Sequence, residues 1–585
     1  QPQAPPTPVA ITHAAKDPKE EEGRLADLKG LVAEAKKANF IPSVIDHVNS
    51  LEIEGKPVKA SQLEPAPVDI LKDFFASLPA DVKDALFKES IEVIANARFV
   101  PHFNFGGAAT RLGLGAMYFV KIKELAEIIL GIAKGEHADK IRAKVDEYIA
   151  EKKLNKENFL AQIKSLYESL TSVEDKGMGP IQLIAYRLAL EDFAKKYNLD
   201  KKELVARATI IIHVNDEIIQ AVADDLVRNS FYGFNPKNVL LLSDTVFNGY
   251  KVNDDYSLTL NGKSDLLPPG HGYALEQFNR KNQVYVFDGT SLKQVEPTML
   301  EILKERQVVY VRTQRINNLT MWTEDVLSIE RLAYFIHQVK TQGAQVGVEL
   351  VKNPGGQKGG NFLRIKDTTR GFLAETLALS TPDLKDILDQ AGKLNLPYNE
   401  FGNFYTVEGL SVILSRHRLP RYLRYKSGHV YTEVVTGDVT QLPDVKTVAF
   451  RIDAEKLIHD FKEFKNIAEA LEFLKRWQEI MQAHQEAATA PVQPQAPPTP
   501  VAITHAAKDP TKGAVVGLIG MLLSLPFVSG CAVNTEIRAL TGLIVISGVL
   551  GIASLGYLIY RFSDIYKINQ FKKAILDKLR EKDMP

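Results

Sequence analysis

Cysteine is almost absent from this chain: Cys531 is the single one among 585 residues. One thiol excludes a disulfide within the chain and any metal cluster built from several cysteines. Neither sign of charge is in excess, because 72 lysine and arginine residues balance 72 aspartate and glutamate residues. Nothing in the overall charge favours nucleic acid as a partner, and the sequence predicts none.

Length and composition are those of a folded protein with a sizeable core. Apolar residues make up 45% of the chain and charged residues 25%, which are ordinary shares for globular domains. A chain of 585 residues exceeds the usual size of one domain, so roughly two to four folding units are expected.

One segment rich in proline and alanine occurs twice without change, at residues 1–18 and 493–510. A segment of this composition buries too little apolar surface to fold alone. Both copies are therefore predicted to be extended tethers, over 1–18 and 491–511. The duplicate is either recent or a product of how the chain was assembled, and the sequence leaves both open.

The folded part is predicted to have three regions. Residues 19–97 are predicted to be mostly helical, since leucine and phenylalanine recur there at helical spacing. We expect this region to cap the domain that follows, residues 98–440. Residues 441–490 are predicted to close that domain with charged helices.

In the 98–440 region, apolar runs of strand length alternate with helical stretches such as 181–197 and 217–229. Short strands that are apolar on both faces, each followed by a helix, predict an α/β fold of Rossmann-like type with a mainly parallel sheet covered by helices. A helical insert near 121–171 is placed outside the sheet. The clearest predicted strands are 98–105, 209–214, 239–242, 284–287 and 308–311.

The last region, 512–585, differs from the rest in its long uncharged runs. Residues 514–533 and 540–560 contain no charge. Each run is long enough to cross a bilayer, which takes ~20 residues. Basic residues flank both runs on their outer sides. This pattern predicts a transmembrane hairpin and a basic amphipathic tail that anchor a cytoplasmic domain to a membrane. The alternatives are a buried soluble hairpin, a tail helix packed on the main domain, and a lipoprotein-type signal ending at Cys531.

The first of three glycine-rich elements, 105–113, follows the predicted strand 98–105 and reads FGGAATRLG. Glycines at a strand end let backbone N–H groups approach a phosphate. Arg111 can neutralise the charge that accumulates there. The element is a candidate phosphate loop, and a plain turn is the alternative.

Two further glycine-rich elements lie downstream. Pro268 and Pro269 precede Gly270, His271 and Gly272; the glycines leave room for a flat ring or a sugar, and the histidine can donate a hydrogen bond. The third element, 352–362, holds Lys358 between two glycine pairs. Its ammonium group can reach a polyphosphate as a point charge. A turn and a hairpin tip are the respective alternatives.

In this order, the three elements resemble those of the UTP–sugar-1-phosphate uridylyltransferases, which include the UDP-glucose and UDP-N-acetylhexosamine pyrophosphorylases. Residues 213–217 (HVNDE) loosely resemble the Asn-Thr-Asp-Glu of that family, and residues 317–319 (NNL) are similar to its Asp-Asn-Leu. The likeness covers about residues 95–415. Neither the helical start nor the predicted membrane tail belongs to it.

The resemblance implies that UTP and a sugar 1-phosphate are the substrates, that a UDP-sugar and pyrophosphate are the products, and that Mg²⁺ accompanies UTP. It implies catalytic roles for Arg111 and Lys358, and it names no metal ligand. The substrate-binding residues that it implies are Gly106, Gly107, Thr110 and Gly113 for phosphate, Gly270, His271 and Gly272 for uridine and sugar, and Asn318 for ribose or sugar.

The chain departs from the family pattern at several of these positions. Ala109 stands in place of a glycine, Asn317 in place of an aspartate and Tyr273 in place of a common aspartate, and residues 114–120 hold no lysine. The loss of charge and of backbone access favours a second hypothesis. In it, the chain is a catalytically degenerate module that binds a nucleotide sugar and acts as a membrane scaffold.

Overall fold

The structure is a computed structural model, and the residues it describes fall in the first of two compact units, residues 1–490. The second unit, 491–585, lies outside the described residues, and with it the second tether and the predicted hairpin. The described ranges are 11–12, 18–37, 51–53, 56–106, 116–170, 176–244, 247–260, 266–267, 270–289, 291–315, 319–320, 327, 329–352, 360–375, 397–399, 402–426, 428–452, 457–458 and 467–489.

Helices occur along the whole of the described part. In chain order they are α1 Pro18–Lys37, α2 Leu71–Ser77, α3 Ala80–Ala95, α4 Ile122–Ile129, α5 Glu136–Glu151, α6 Lys156–Glu168, α7 Met178–Lys196, α8 Lys201–Arg207, α9 Ile219–Arg228, α10 His271–Gln277, α11 Met299–Glu305, α12 Ile329–Gln342, α13 Val407–Arg416 and α14 Ile467–Thr489.

Strands of two to six residues lie between the helices. In chain order they are β1 Ile11–Thr12, β2 Glu52–Ile53, β3 Lys56–Pro57, β4 Leu63–Pro65, β5 Asp69–Ile70, β6 Phe99–Asn104, β7 Ile210–Asn215, β8 Val239–Asp244, β9 Phe247–Asn248, β10 Tyr250–Val252, β11 Leu258–Leu260, β12 Leu266–Leu267, β13 Val284–Phe287, β14 Leu292–Val295, β15 Tyr310–Arg315, β16 Leu319–Thr320, β17 Val346–Leu350, β18 Gly360–Ile365, β19 Gly371–Ala374, β20 Tyr398–Asn399, β21 Asn403–Thr406, β22 Tyr422–Lys426, β23 His429–Glu433, β24 Thr447–Arg451 and β25 Leu457–Ile458.

Eleven of these strands form one large sheet in the order β1-β14-β13-β8-β7-β6-β15-β21-β17-β24-β5. Strands β8, β7, β6 and β15 are mutually parallel neighbours. Strands β13 and β21 run antiparallel to both of their neighbours, so the sheet is mixed. The predicted α/β fold with a large sheet and many helices is confirmed, and the parallel strands form its centre.

Alternate residues of the central strands enter two separate cores, one on each face of the sheet. In β7, Ile210 and Ile212 belong to the core that α3, α7 and α12 cover. Ile211 belongs to the core beneath α10, α11 and α13. Side chains alternate between the faces of a strand, and burying each one contributes about 1.5–3 kcal/mol. The continuous apolar runs in the sequence follow from this burial on both faces.

Most of the predicted strands lie where the sequence places them, with one shift. The run 308–311 is observed as β15, which begins at Tyr310 and continues to Arg315. Gln307 has a left-handed backbone with a φ of 58°, and the Val308 N–H donates to Leu303 O at the end of α11. Val308 therefore closes the preceding helix and does not begin the strand.

The 19–97 region contains α1, α2 and α3, but the short strands β2 to β5 lie between α1 and α2. Strand β5 joins the edge of the large sheet beside β24, and β4 pairs with β18. These pairings are made with residues hundreds of positions away, so the local periodicity did not indicate them. The described residues near 121–171 are helical, as predicted, with α4, α5 and α6 and no strand.

No helix among the described residues combines the length and the apolar character needed to span a bilayer. Of the first tether, Ile11 and Thr12 are described, and they pair in parallel with Leu292 and Lys293 at the sheet edge.

Candidate functional site

One face of the four parallel strands changes from apolar to polar toward their carboxyl ends. Residues two apart on a strand share a face, so each strand presents a short series on the side covered by α10. Such sheets bind ligands beyond the carboxyl ends of their strands. The series are Val100, His102 and Asn104 on β6, Ile211, His213 and Asn215 on β7, Leu242 and Asp244 on β8, and Val311 and Thr313 on β15.

A narrow cleft opens over the polar end of this face. It encloses about 380 Å³, part of it open to solvent. The residues that line it are polar with few exceptions, and none of them is a lysine, an arginine, an aspartate or a glutamate. This lining suits an uncharged, hydrogen-bonding part of a ligand. The lining residues are His102, Asn104, His271, Leu275, Thr313, Gln314, Asn399, Gly402, Asn403 and Thr436.

Gly106, the first glycine of the predicted phosphate loop, follows β6 and lies beside the end of β7. Asn215 Nδ2 donates to Gly106 O at 3.2 Å, while Asn215 Oδ1 accepts from the N–H groups of Glu217 and Ile218. A Cβ on Gly106 would lie 3.4 Å from Asn215 N, an ordinary contact. Asn215 thus holds Gly106 at the start of the loop. Its side chain also binds the N–H groups of the two residues that precede α9, which begins at Ile219. The other four predicted loop residues lie outside the described residues: Gly107, Thr110, Arg111 and Gly113.

His271, from the second glycine-rich element, reaches the same cleft from the first residue of α10. Its Nδ1 accepts the Thr436 N–H at 3.1 Å and lies 2.7 Å from Thr436 Oγ1. Because Nδ1 accepts a backbone N–H, the proton of the neutral ring is on Nε2. In the neutral ring, Nε2 is therefore the donor; that it donates to a substrate remains a prediction.

The Cβ positions of Gly270 and Gly272 are filled by the backbone of the chain itself. Gly270 has a φ of +90°, and a Cβ there would lie 2.4 Å from Val434 O. A Cβ on Gly272 would lie 2.5 Å from the carbonyl carbon of Val435. Both positions therefore require glycine for close backbone packing, and contact of these glycines with uridine or sugar remains a prediction. The two glycines hold His271 against Thr436.

The turn that carries Thr436, residues Thr436–Gln441, is anchored by buried polar groups. Gln441 Nε2 donates to Leu373 O and to Asp438 Oδ1. Burial raises the pKa of the Asp438 carboxyl well above its usual range, and the nearby Glu375 raises it further. A protonated carboxyl can be buried at lower cost than a carboxylate. The turn is thus a fixed support for the His271 side of the cleft.

The third glycine-rich element leads into β18, which pairs with β20 beside the cleft. Lys358 lies outside the described residues, but Gly360 begins β18 and pairs with Asn399, which lines the cleft. A Cβ on Gly360 would lie 2.9 Å from Glu375 Oε1, so a larger residue would displace that carboxylate. Of the described residues in the three elements, His271 lines the cleft, while Gly106 follows the lining residue Asn104 by two positions and Gly360 pairs with the lining residue Asn399.

The sequence interpretation missed an amide-rich wall formed by Thr313, Asn399, Gly402 and Asn403. Asn399 Nδ2 donates to Asn403 Oδ1 at 3.1 Å, and the Asn403 N–H donates to Thr313 Oγ1 at 3.0 Å. A Cβ on Gly402 would lie 1.8 Å from Thr313 O, so this position requires glycine. Strand β21 is antiparallel to β15, which brings its amino end to the carboxyl end of β15.

His102 and Asn104 were also missed, although they are polar residues inside an apolar strand run, a signal that can be read from the sequence. Asn104 Oδ1 lies 3.1 Å from Nδ1 of His213, whose Nε2 lies 3.3 Å from Asp244 Oδ2. Burial lowers the pKa of His102 well below its usual value, and the neighbouring His213 lowers it further. The His102 ring is therefore neutral near pH 7.

Within the described ranges, no group of three or more histidine, cysteine, aspartate or glutamate side chains is arranged to hold a metal ion. Asp216 and Asp244 are the carboxylates at the ends of β7 and β8, and the Asp216 N–H donates to Asp244 O. Mg²⁺ bound with a nucleotide takes most ligands from phosphate and water and needs one or two carboxylates. The predicted ribose or sugar contact, Asn318, lies outside the described residues.

Comparison with solved structures finds UDP-sugar pyrophosphorylases. The UDP-N-acetylglucosamine pyrophosphorylase of Trypanosoma brucei, solved with an inhibitor, is 14% identical over 80% of this chain and 80% of that chain, with a TM-score of 0.49. A mutant UDP-glucose pyrophosphorylase of Leishmania major with UDP-glucose is 12% identical over 77% of this chain and 76% of that chain, with a TM-score of 0.44. No protein-family profile and no curated protein sequence matches the chain.

Proposed function

We propose that the protein is a uridylyltransferase that forms a UDP-sugar and pyrophosphate from UTP and a sugar 1-phosphate. The closeness of the three glycine-rich elements to one cleft supports this proposal. His271 lines the cleft, Gly106 follows the lining residue Asn104 by two positions, and Gly360 pairs with the lining residue Asn399. The sequence order of the three elements resembles the same family. The uncharged lining suits the base and the sugar, and the loop residues after Gly106 supply the phosphate end.

The proposed reaction needs positioning and charge neutralisation and no covalent enzyme intermediate. A phosphate oxygen of the sugar 1-phosphate attacks the α-phosphorus of UTP. A new P–O bond forms, the bond between the α-phosphorus and the bridging oxygen breaks, and pyrophosphate leaves with that electron pair. Arg111 and Lys358 neutralise the departing charge. Mg²⁺ bound with the phosphates would share this role, with Asp216 and Asp244 as its candidate protein ligands.

The test is pyrophosphate release by the full chain with UTP, Mg²⁺ and a panel of sugar 1-phosphates. We expect release with at least one sugar and a loss of about 100-fold or more in Arg111→Ala and in Lys358→Ala. Lys140→Ala is the control, because Lys140 is an exposed cation on α5 that pairs with Glu136. No release by the parent chain with any sugar, or equal rates in all variants, would contradict the proposal.

A second candidate is a module that binds a nucleotide sugar without turnover. It is favoured by Tyr273, which replaces a carboxylate common in the family. The Tyr273 ring is buried between Arg24 and Arg280, whose guanidinium carbons lie 5.3 and 4.8 Å from the ring centre. A carboxylate is thus absent at this point of α10. Binding of UDP-glucose by calorimetry without pyrophosphate release would select this candidate.

We also propose that residues 512–585 anchor the protein to a membrane with the α/β domain on the cytoplasmic side. The uncharged runs and their basic flanks in the sequence support this. We expect the full chain to float with phosphatidylserine-containing vesicles and to remain with them at high salt and at alkaline pH. A chain ending at residue 511 is expected to stay at the bottom of the gradient. Flotation of the shorter chain, or release of the full chain by salt alone, would contradict an anchor.

A further inference from the structure

His102 is a buried polar side chain in the wall of the cleft. The residue is 2% exposed, and its two ring nitrogens have no hydrogen-bond partner within the described part of the chain. Its ring packs edge-on against Phe278, with the ring centres 4.9 Å apart, and it lines the cleft. Buried polar groups in proteins nearly always have partners.

An unpaired buried imidazole costs free energy, because water is lost from both nitrogens and nothing replaces it. The surroundings of His102 suit an apolar residue, since Val100 precedes it on the same face and Phe278 covers it. A leucine at position 102 would fit this environment without the desolvation cost. Side chains that cost stability in this way are typical of functional sites.

The position of His102 shows which part of a ligand can reach it. Its neighbours in the cleft lining, Asn104, Thr313 and Asn403, carry no formal charge. An uncharged polar part of a ligand therefore suits this position better than a phosphate. Burial keeps the imidazole uncharged, so one nitrogen can donate a hydrogen bond and the other can accept one. The two nitrogens point in different directions, so a ligand in the cleft can bind one of them, through either a donor or an acceptor.

We propose that His102 selects the ligand of this cleft through a hydrogen bond between one ring nitrogen and an uncharged polar group of the ligand. The proposal rests on the uridylyltransferase function given above. Two parts of a UDP-sugar carry such groups: the uracil ring, with its N–H and carbonyl groups, and the sugar, with its hydroxyl groups.

The experiment compares the full chain with its His102→Leu and His102→Gln variants by calorimetry. The ligands are UDP-glucose, UDP-N-acetylglucosamine, UMP, glucose 1-phosphate and N-acetylglucosamine 1-phosphate. His102→Leu is expected to weaken binding of the UDP-sugar by about 10-fold, because the ligand loses a buried hydrogen bond. His102→Gln keeps a donor and an acceptor and is expected to retain most of the affinity. If His102→Leu also weakens binding of UMP, the base lies at His102. If it weakens binding of a sugar 1-phosphate instead, the sugar lies there.

Thermal unfolding without ligand separates a binding role from a structural one. We expect His102→Leu to be as stable as the parent chain or more stable. A lower melting temperature of the ligand-free variant would overturn the inference, because it would show that His102 supports the fold. Equal UDP-sugar affinity in the parent chain and His102→Leu would overturn the inference about His102 and leave the proposed function standing. If the parent chain bound none of the five ligands, both the proposed function and the ligand inferred for His102 would be overturned.

Discussion

Replacing Glu349 by glutamine is expected to lower the free energy of unfolding by about 3–5 kcal/mol. The Glu349 side chain is fully buried on β17 and accepts two hydrogen bonds from Arg312, at 2.9 and 3.1 Å. Arg331 of α12 lies 3.7 Å from the same carboxylate. The amide would remove the negative charge that faces these two guanidinium groups and one acceptor of the two hydrogen bonds from Arg312, and arginine cannot lose its proton in response. Urea unfolding followed by circular dichroism measures the change.

The matched control is Glu296→Gln, which removes the carboxylate of an exposed pair. Lys281 Nζ lies 2.9 Å from Glu296, and both side chains are more than half exposed. Water screens this pair, so the loss is expected to be far smaller than at Glu349. If the two substitutions destabilised the protein equally, the description of Glu349 as the buried counter-charge of Arg312 would be wrong.

Gly270→Ala is expected to destabilise the protein by about 2–4 kcal/mol, from overpacking and from a positive φ together. The new methyl group would lie 2.4 Å from Val434 O, which is backbone and cannot rotate away. Relief of the clash moves the Val434 segment, and Thr436 with it, off His271 Nδ1. We therefore expect UDP-glucose affinity to fall together with stability.

Gly289→Ala separates the two causes. Gly289 has a φ of +106° but no atom within 4 Å of its Cβ position. Its substitution carries the backbone penalty of about 1–2 kcal/mol without the clash. Unfolding and UDP-glucose calorimetry on both variants measure the difference. Equal destabilisation, or unchanged affinity in Gly270→Ala, would show that the contact with Val434 does not hold the His271 side of the cleft.

The central sheet could be predicted from the sequence because its strands are buried on both faces. Continuous apolar runs such as 239–242 and 284–287 indicate strands inside a sheet. The observed strands begin at the predicted residues. The strands β4 and β5 could not be found in this way. Their ladders are made with β18 and β24, far along the chain, and two or three residues carry no periodicity.

Residues of the site could be predicted only where they belong to a short motif in the sequence. Gly106 and His271 stand in short motifs that can be read from the sequence; His271 lines the cleft, and Gly106 follows the lining residue Asn104 by two positions. Asn399 and Asn403 belong to the wall through their pairing with Gly360 and Thr313, and pairing across strands leaves no trace in the local sequence. The glycines at 270 and 272 show a related difficulty. Glycine permits close approach, but the sequence does not say what approaches, and here it is the backbone of Val434 and Val435.

The change from apolar to polar along one sheet face bears on how this protein can acquire new ligands. In β6 and β15 the last buried apolar residue on this face lies two residues before the first residue that lines the cleft, as with Val100 and His102 on β6 and Val311 and Thr313 on β15. Exchanges at the polar positions can therefore alter preference while the apolar positions keep the scaffold intact. Substitutions that change ligand preference are therefore expected at the polar carboxyl ends of these strands. The apolar residues that precede them are expected to tolerate few substitutions.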